Sequence, residues 1–248
     1  SAGNLSSIVG ELETTSHPAN ANSEVLIKGY AFSGDKVKSD ATLLEAGLEG
    51  NQPFTIEAWV WNSSLRAQEI LVGWGRQGAG SGAVMHFGHG SNANYGAAGH
   101  AGFGLGWSAP ARTDSTGKWS HVVYTYDENG DQRLFLNGEP DNARIGNNVN
   151  FNPAATFTSG DSVHVYLGAG NNATTENFTV SPFQGTMARL SMLKRALTPE
   201  KIREKYVQEA RYFVLGFRQL DLDGDQIPDD YEEFYFPGNL DALGSPDG

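Results

Sequence analysis

Period-two alternation dominates the chain. Between Trp119 and Gly138 (WSHVVYTYDENGDQRLFLNG), Val122, Tyr124 and Tyr126 alternate with His121, Val123 and Thr125, the pattern of a strand with two unlike faces. Asp127-Glu128-Asn129-Gly130-Asp131 supplies a turn. Leu134 and Leu136 then alternate with Phe135 before Asn137-Gly138 turns the chain again, and Asn-Gly suits the positive φ of a hairpin turn. Two strands and two tight turns so close together predict an antiparallel sheet. Phe54 to Trp61 (FTIEAWVW) alternates as cleanly, with Phe54, Ile56, Ala58 and Val60 on one face and Thr55, Glu57, Trp59 and Trp61 on the other. The first face reads as sandwich packing and the second as partly covered by another element. Further strands are expected at Val25–Ala31, Ile70–Trp74, Ala83–Phe87, Gly102–Trp107, Ser162–Leu167 and Phe183–Leu193. Residues 1–22 are polar without a clear period and read as a linker or an irregular first strand. Helical signals gather near the C-terminal end. Thr198 is placed to cap, Pro199 to open the first turn and Glu200 to face the positive end of the dipole. Ile202, Tyr206 and Phe213 follow at spacings that bury one face.

Composition narrows the picture. The 248 residues suffice for one large sandwich or two domains, and 31 glycines fit an all-β chain with many turns. Cysteine is absent, which removes disulfides, zinc-thiolate sites and thiol chemistry. The net charge of −12 argues against nucleic acid and anionic membrane surfaces as partners. It is compatible with bound calcium and equally with simple solubility. No apolar run reaches the ~20 residues of a membrane span, so no membrane insertion is expected.

Candidate chemistry sits in three places. Residues 73–107 hold twelve glycines and three histidines, His86, His89 and His100. Their links read as long loops at a sandwich rim, where such scaffolds place binding. Trp74, Tyr95 and Trp107 are the aromatic side chains there that could stack on sugar rings; the plainer alternative is that the glycines serve turns and bulges. His86 and His89, three apart on a strand, face opposite sides, which favours structural or surface histidines over a metal site. A second loop begins at Asn171 and Asn172 and runs to Asn177; with Asp161 it offers oxygen ligands, or is a solvated loop. The third place is the acidic tail. Asp221, Asp223, Asp225, Asp229 and Glu232 fall at loop positions one, three, five, nine and twelve, with the Ile227 carbonyl at seven. That spacing converges hard oxygen ligands on one Ca2+. Gln226 stands where glycine usually makes the sharp turn, which lowers the expected affinity. An acidic solvated linker is the alternative.

Four segments carry a family resemblance: Ala31 to Val37 (AFSGDKV), FTIEAWVW, the hairpin from Trp119, and Phe183 to Ile202 (FQGTMARLSMLKRALTPEKI). In this order they resemble the laminin G-like, concanavalin A-like jelly-roll domains over roughly residues 25–205. The resemblance implies an all-β jelly-roll β-sandwich of two antiparallel sheets with a C-terminal helix, a fold that hosts lectins, adhesion modules and enzymes. Many relatives carry an Asp-Glu pair where this chain has Ala188 and Arg189, which puts in doubt any metal site built on that pair. Laminarinase-type hydrolases of this fold need paired carboxylates, commonly from an E-x-D-x-x-E strand, and no such strand is present. The tail, about 219–248, resembles thrombospondin type 3-like, EF-hand-like calcium repeats of large secreted bacterial proteins. These resemblances imply a jelly-roll domain over 1–215 and a calcium-loop tail over 216–248. The expected function is a non-catalytic binding module for polysaccharide or glycan, secreted or at the cell surface, in a larger multidomain polypeptide with a calcium-stabilised connector. The rivals are an adhesion or spacer domain that binds a cell-surface protein, and, further off, a glycoside hydrolase or polysaccharide lyase.

Overall fold

The computed structural model describes residues 5–9, 13–99, 102–146, 150–171, 174 and 180–214. In chain order its strands are β1 (Leu5–Val9), β2 (Glu13–Pro18), β3 (Leu26–Ser33), β4 (Lys36–Thr42), β5 (Phe54–Trp61), β6 (Ile70–Gly75), β7 (Val84–Gly88), β8 (Ala98–Gly99), β9 (Trp119–Tyr126), β10 (Gln132–Leu136), β11 (Glu139–Arg144), β12 (His164–Leu167) and β13 (Gln184–Leu193). Helix α1 (Ala109–Asp114) precedes β9, and helix α2 (Pro199–Phe213) follows β13. The strands form two antiparallel sheets: six strands in the order β1-β4-β12-β6-β7-β8, and seven in the order β11-β10-β9-β5-β13-β3-β2. This is the all-β jelly-roll sandwich with a C-terminal helix that the family resemblance implies, built on the antiparallel pairing that the alternation predicts.

The inner faces meet in one core. Phe54, Ile56, Ala58 and Val60 from β5 pack with Val122 and Tyr124 from β9 against Val72, Trp74, Met85 and Phe87 of the other sheet. The expected hairpin is in register, Tyr124 opposite Leu134 and Val122 opposite Leu136. Asn137 and Gly138 both take positive φ, 51° and 78°, as a tight primed turn requires.

The outer face of β5 is covered by α2. Thr198 accepts from the Lys201 amide at 3.4 Å, and Glu200 lies in the first turn. Ile202, Val207, Ala210 and Phe213 are buried, and Tyr206 packs on the same side. Phe213 stacks on Trp59 with centroids 4.2 Å apart and planes 6° from parallel. Trp59 Nε1 donates to Glu209 at 2.5 Å. Glu57, buried beneath the helix, accepts from Ser191 Oγ at 2.6 Å and from Lys205 Nζ, so its charge is compensated. The turn of the helix at Tyr206 rests on Gly138, where a Cβ would come 2.8 Å from the tyrosine ring.

Two expectations are corrected. Residues 1–22 contain two strands, β1 and β2, each at a sheet edge. The polarity of β2 reflects that position, as its alternately exposed residues show. Gly102–Trp107 is not a strand: only Leu105 bridges, to Ala98, because Gly104 and Gly106 lie against the backbone of residues 92–94 instead of a sheet neighbour. A short helix, α1, follows; Ser108 caps it, accepting from the Ala111 amide at 3.4 Å.

Candidate functional site

The six-stranded sheet turns one row of residues away from the core. Lys38, Tyr166, Gly73, His86 and Gly99 lie side by side across β4, β12, β6, β7 and β8, and directly paired residues share a face. At the β7–β8 end this outer face floors a cavity of about 920 Å³. Gln68, Gln77, His86, Asn94, Tyr95 and Arg144 contribute its polar lining.

Local sequence explains the wall. Asn92 Oδ1 accepts from the amides of Asn94 at 2.9 Å and Tyr95 at 3.2 Å, and the Asn92 carbonyl accepts from Gly96 at 2.9 Å. This closed turn lies directly on a second layer of backbone. A Cβ on Gly106 would collide with the Ala93 carbonyl, and one on Gly104 would stand 2.7 Å from the Asn94 carbonyl. The glycines therefore permit backbone to stack on backbone. Asn142 Nδ2, on β11, donates to the Gly106 carbonyl at 2.7 Å and ties the neighbouring wall to this layer. The result displays Tyr95, 47% exposed, at the cavity edge.

His86 lies on the floor. Burial, with a smaller contribution from the Lys36 ammonium, pushes it down to about 4, so its ring is neutral near pH 7. Its Nε2 has no hydrogen-bond partner among the described residues. Beneath the floor, His89 Nδ1 pairs with Asn62 Oδ1 at 2.9 Å, and Asn62 Nδ2 donates to Glu69 at 3.2 Å. Glu69 also accepts from the Gln184 amide at 3.0 Å and pairs with Arg66 at 3.4 Å; burial raises its carboxyl. This network is saturated and holds β6 to β13, so His89 serves the scaffold.

The structure separates the residues expected to bind. Trp74 and Trp107 are each 1% exposed. Trp74 meets Phe54 edge-on at 5.0 Å, and Trp107 Nε1 donates to the Gly88 carbonyl at 3.1 Å. Neither offers a ring face to a ligand, because both rings pack in the hydrophobic core. Asn171 is likewise buried at 1%. Its Oδ1 accepts from the fully buried Lys36 Nζ at 2.6 Å, and that ammonium sits 4.4 Å from the Tyr166 ring centroid. Asn171 thus partners a buried cation instead of lining a loop. Tyr95 alone of the four stands at the cavity. Asn172, His100 and the tail positions Asp221, Asp223, Asp225, Ile227, Asp229 and Glu232 lie outside the described residues. Gln68, Gln77, Asn94 and Arg144 went unrecognised in the sequence. The run from Gln77 to Ala111 contains no Asp, Glu, Lys or Arg, a signal that marks the surroundings of Gln77 and Asn94, while nothing comparable marks Gln68. Arg144 reaches the site only through the register that sets it opposite Gln132.

Comparison with known proteins gives consistent results. The family model described as the Concanavalin A-like lectin/glucanases superfamily matches residues 33–203. No curated protein sequence matches the chain. Among solved structures, the chain is similar to the CBM40 of the Ruminococcus gnavus IT-sialidase, bound to α2,3-sialyllactose. The two share 18% identity with a TM-score of 0.52, over 81% of this chain and 100% of that one. It is also similar to domain 4 of AbnA, a GH43 extracellular arabinanase from Geobacillus stearothermophilus, in complex with arabinotriose. There the identity is 17% and the TM-score 0.49, over 79% of this chain and 88% of that one. At these identities the likeness is one of fold.

Proposed function

The chain belongs to the concanavalin A-like lectin/glucanases superfamily, and from that premise we propose that it is a non-catalytic glycan-binding module whose site is the cavity on the outer face of the six-stranded sheet. The observation that carries this reading is Tyr95, exposed beside about 920 Å³ of space lined by neutral amides and one guanidinium. A phenol ring offers an apolar face to a pyranose, while amides both donate and accept and so match hydroxyl groups. The volume suits a few sugar rings. The described lining is made of groups that orient a ligand, and glycoside cleavage needs two carboxylates across the bond. A fold shared with a carbohydrate-binding module accords with this.

The acidic tail completes the proposal. Residues 216–248 would form a connector in a larger secreted bacterial protein, with Asp221, Asp223, Asp225, Asp229 and Glu232 and the Ile227 carbonyl holding Ca2+. Its motif spacing supports that reading.

The test is a glycan array followed by calorimetry on the best ligand. Tyr95→Ala is expected to weaken binding by at least about tenfold. An array without a bound glycan, or a Tyr95→Ala chain with unchanged affinity, refutes the reading. One observation favours the protein-binding alternative: an apolar groove of about 1130 Å³ between β3, β13 and the end of α2, beside Leu26 and Tyr30, which are 62% and 56% exposed. A protein ligand held in that groove, with the array blank, would establish the alternative.

A further inference from the structure

The charge distribution around the cavity is unlike that of the chain. Acidic residues outnumber basic ones 29 to 17 overall, yet the described lining of the cavity contains no Asp or Glu. Its one permanent charge is Arg144. Asp141, on the same strand as Arg144, and Asp131, next to the residue paired with it, are both engaged elsewhere. Asp141 accepts from the Ser108 amide at 2.9 Å and from Ser108 Oγ at 2.5 Å. Asp131 accepts from the Gly146 amide at 2.8 Å and pairs with Arg133 at 2.9 Å. Arg133 also takes Asp127 at 2.7 Å. One arginine of β10 thus gathers two of the three hairpin carboxylates, and the next arginine along the ladder keeps none. Among the described residues the Arg144 guanidinium has no ion-pair or hydrogen-bond partner. It stands over the same cavity as the unpartnered His86 Nε2.

Resting on the glycan reading above, we propose that the ligand is an acidic saccharide and that Arg144 receives its carboxylate. A guanidinium presents a planar fork that matches a carboxylate with two parallel hydrogen bonds. The surrounding amides of Gln68, Gln77 and Asn94 then take hydroxyl groups, and Tyr95 covers a ring face. A cavity free of carboxylates matters most in a chain of net charge −12, because any acid in the lining would repel the ligand where screening by salt is weakest. A neutral sugar offers the guanidinium single hydroxyl acceptors but no planar charged partner for its fork.

The same carboxylate chemistry comes from uronic acids within a polymer or from sialic acids at a chain end. Calorimetry should therefore use trigalacturonate with its methyl ester, and 3′-sialyllactose with lactose, on the full chain and on Arg144→Gln and Arg144→Lys. The expected result is that at least one acidic probe binds about tenfold or more tightly than its neutral counterpart. Arg144→Gln should erase that preference with the melting temperature unchanged, and Arg144→Lys should keep part of it. The preferred probe identifies the source. Neutral glycans on the array that bind as well as acidic ones, with Arg144→Gln without effect, would overturn the acidic class and leave the glycan reading standing. Failure of every acidic and neutral glycan would overturn both.

Discussion

Acidification from about pH 7 to about pH 5 should destabilise the sandwich through two histidines. His121 and His89 are each 1% exposed. Burial, and secondly the Lys205 ammonium, lower His121 to about 3. Glu57 lies 3.9 Å from its Nε2 but is already held by Lys205 and Ser191, and His121 Nδ1 has no partner. Burial lowers His89 to about 4. In the unfolded chain both titrate near 6.5. Between those values the unfolded state binds protons that the folded state refuses, so stability is complete above about pH 6.5 and is lost as the pH falls. At about pH 5 protonation of the unfolded chain is worth about 2 kcal/mol for each histidine, or about 4 kcal/mol for the pair. His86, lowered for the same reason, acts in the same direction. Carboxylates held by hydrogen bonds, such as Asp127, are lowered and contribute only further into acid.

For a chain of this size about 1 kcal/mol moves the melting temperature by about 2–4 °C. The pair alone therefore lowers the melting temperature by about 8–16 °C between about pH 7.5 and about pH 5, and His86 adds a comparable share to that of either one. Thermal melts followed by tryptophan fluorescence would measure it, since Trp59, Trp74, Trp107 and Trp119 are all buried. His121→Gln should remove about a third of the pH slope, since His89 and His86 carry comparable shares, whatever it does to stability at neutral pH. A melting temperature that stays flat across the range, or a slope untouched by that substitution, would refute the linkage.

Two further outcomes follow, one from the packing of α2 and one from the motif spacing of the tail. Trp59→Ala deletes the ring stacked on Phe213 and the donor to Glu209; urea unfolding should show a loss of about 3–5 kcal/mol, and a loss below about 1 kcal/mol would mean that α2 is held by other contacts. Calorimetric titration with Ca2+ should show one site that Asp223→Ala with Asp225→Ala abolishes; heat that survives the double substitution would place calcium outside the tail.

The parts of the fold readable from sequence are those whose two faces meet unlike surroundings. In β5 the small and aliphatic residues face the opposite sheet while Glu57 and Trp59 face α2, so alternation survives even though both faces are buried. The edge strand β2 gives no such signal, because its residues alternate only between exposed and half-buried and neither face needs a long apolar run. Lys36 shows the opposite difficulty. It reads as a surface lysine, and only the folded chain brings Asn171 and Tyr166 from far along the sequence to enclose it.

The aromatics of the glycine-rich region meet different fates. Glycine content is compatible both with open rim loops and with turns and bulges. Here it lets the 92–95 turn lie directly on residues 104–106. That contact leaves no room for the Tyr95 side chain between the layers: its Cβ already stands 3.0 Å from where a Gly104 Cβ would be. Tyr95 is therefore displayed at the cavity, while Trp74 and Trp107 are buried by packing in the core. Aromatic content alone cannot distinguish these fates. The asparagine-closed turn at Asn92 and the alternating glycines at 102, 104 and 106 together can, because they specify which backbone lies on which.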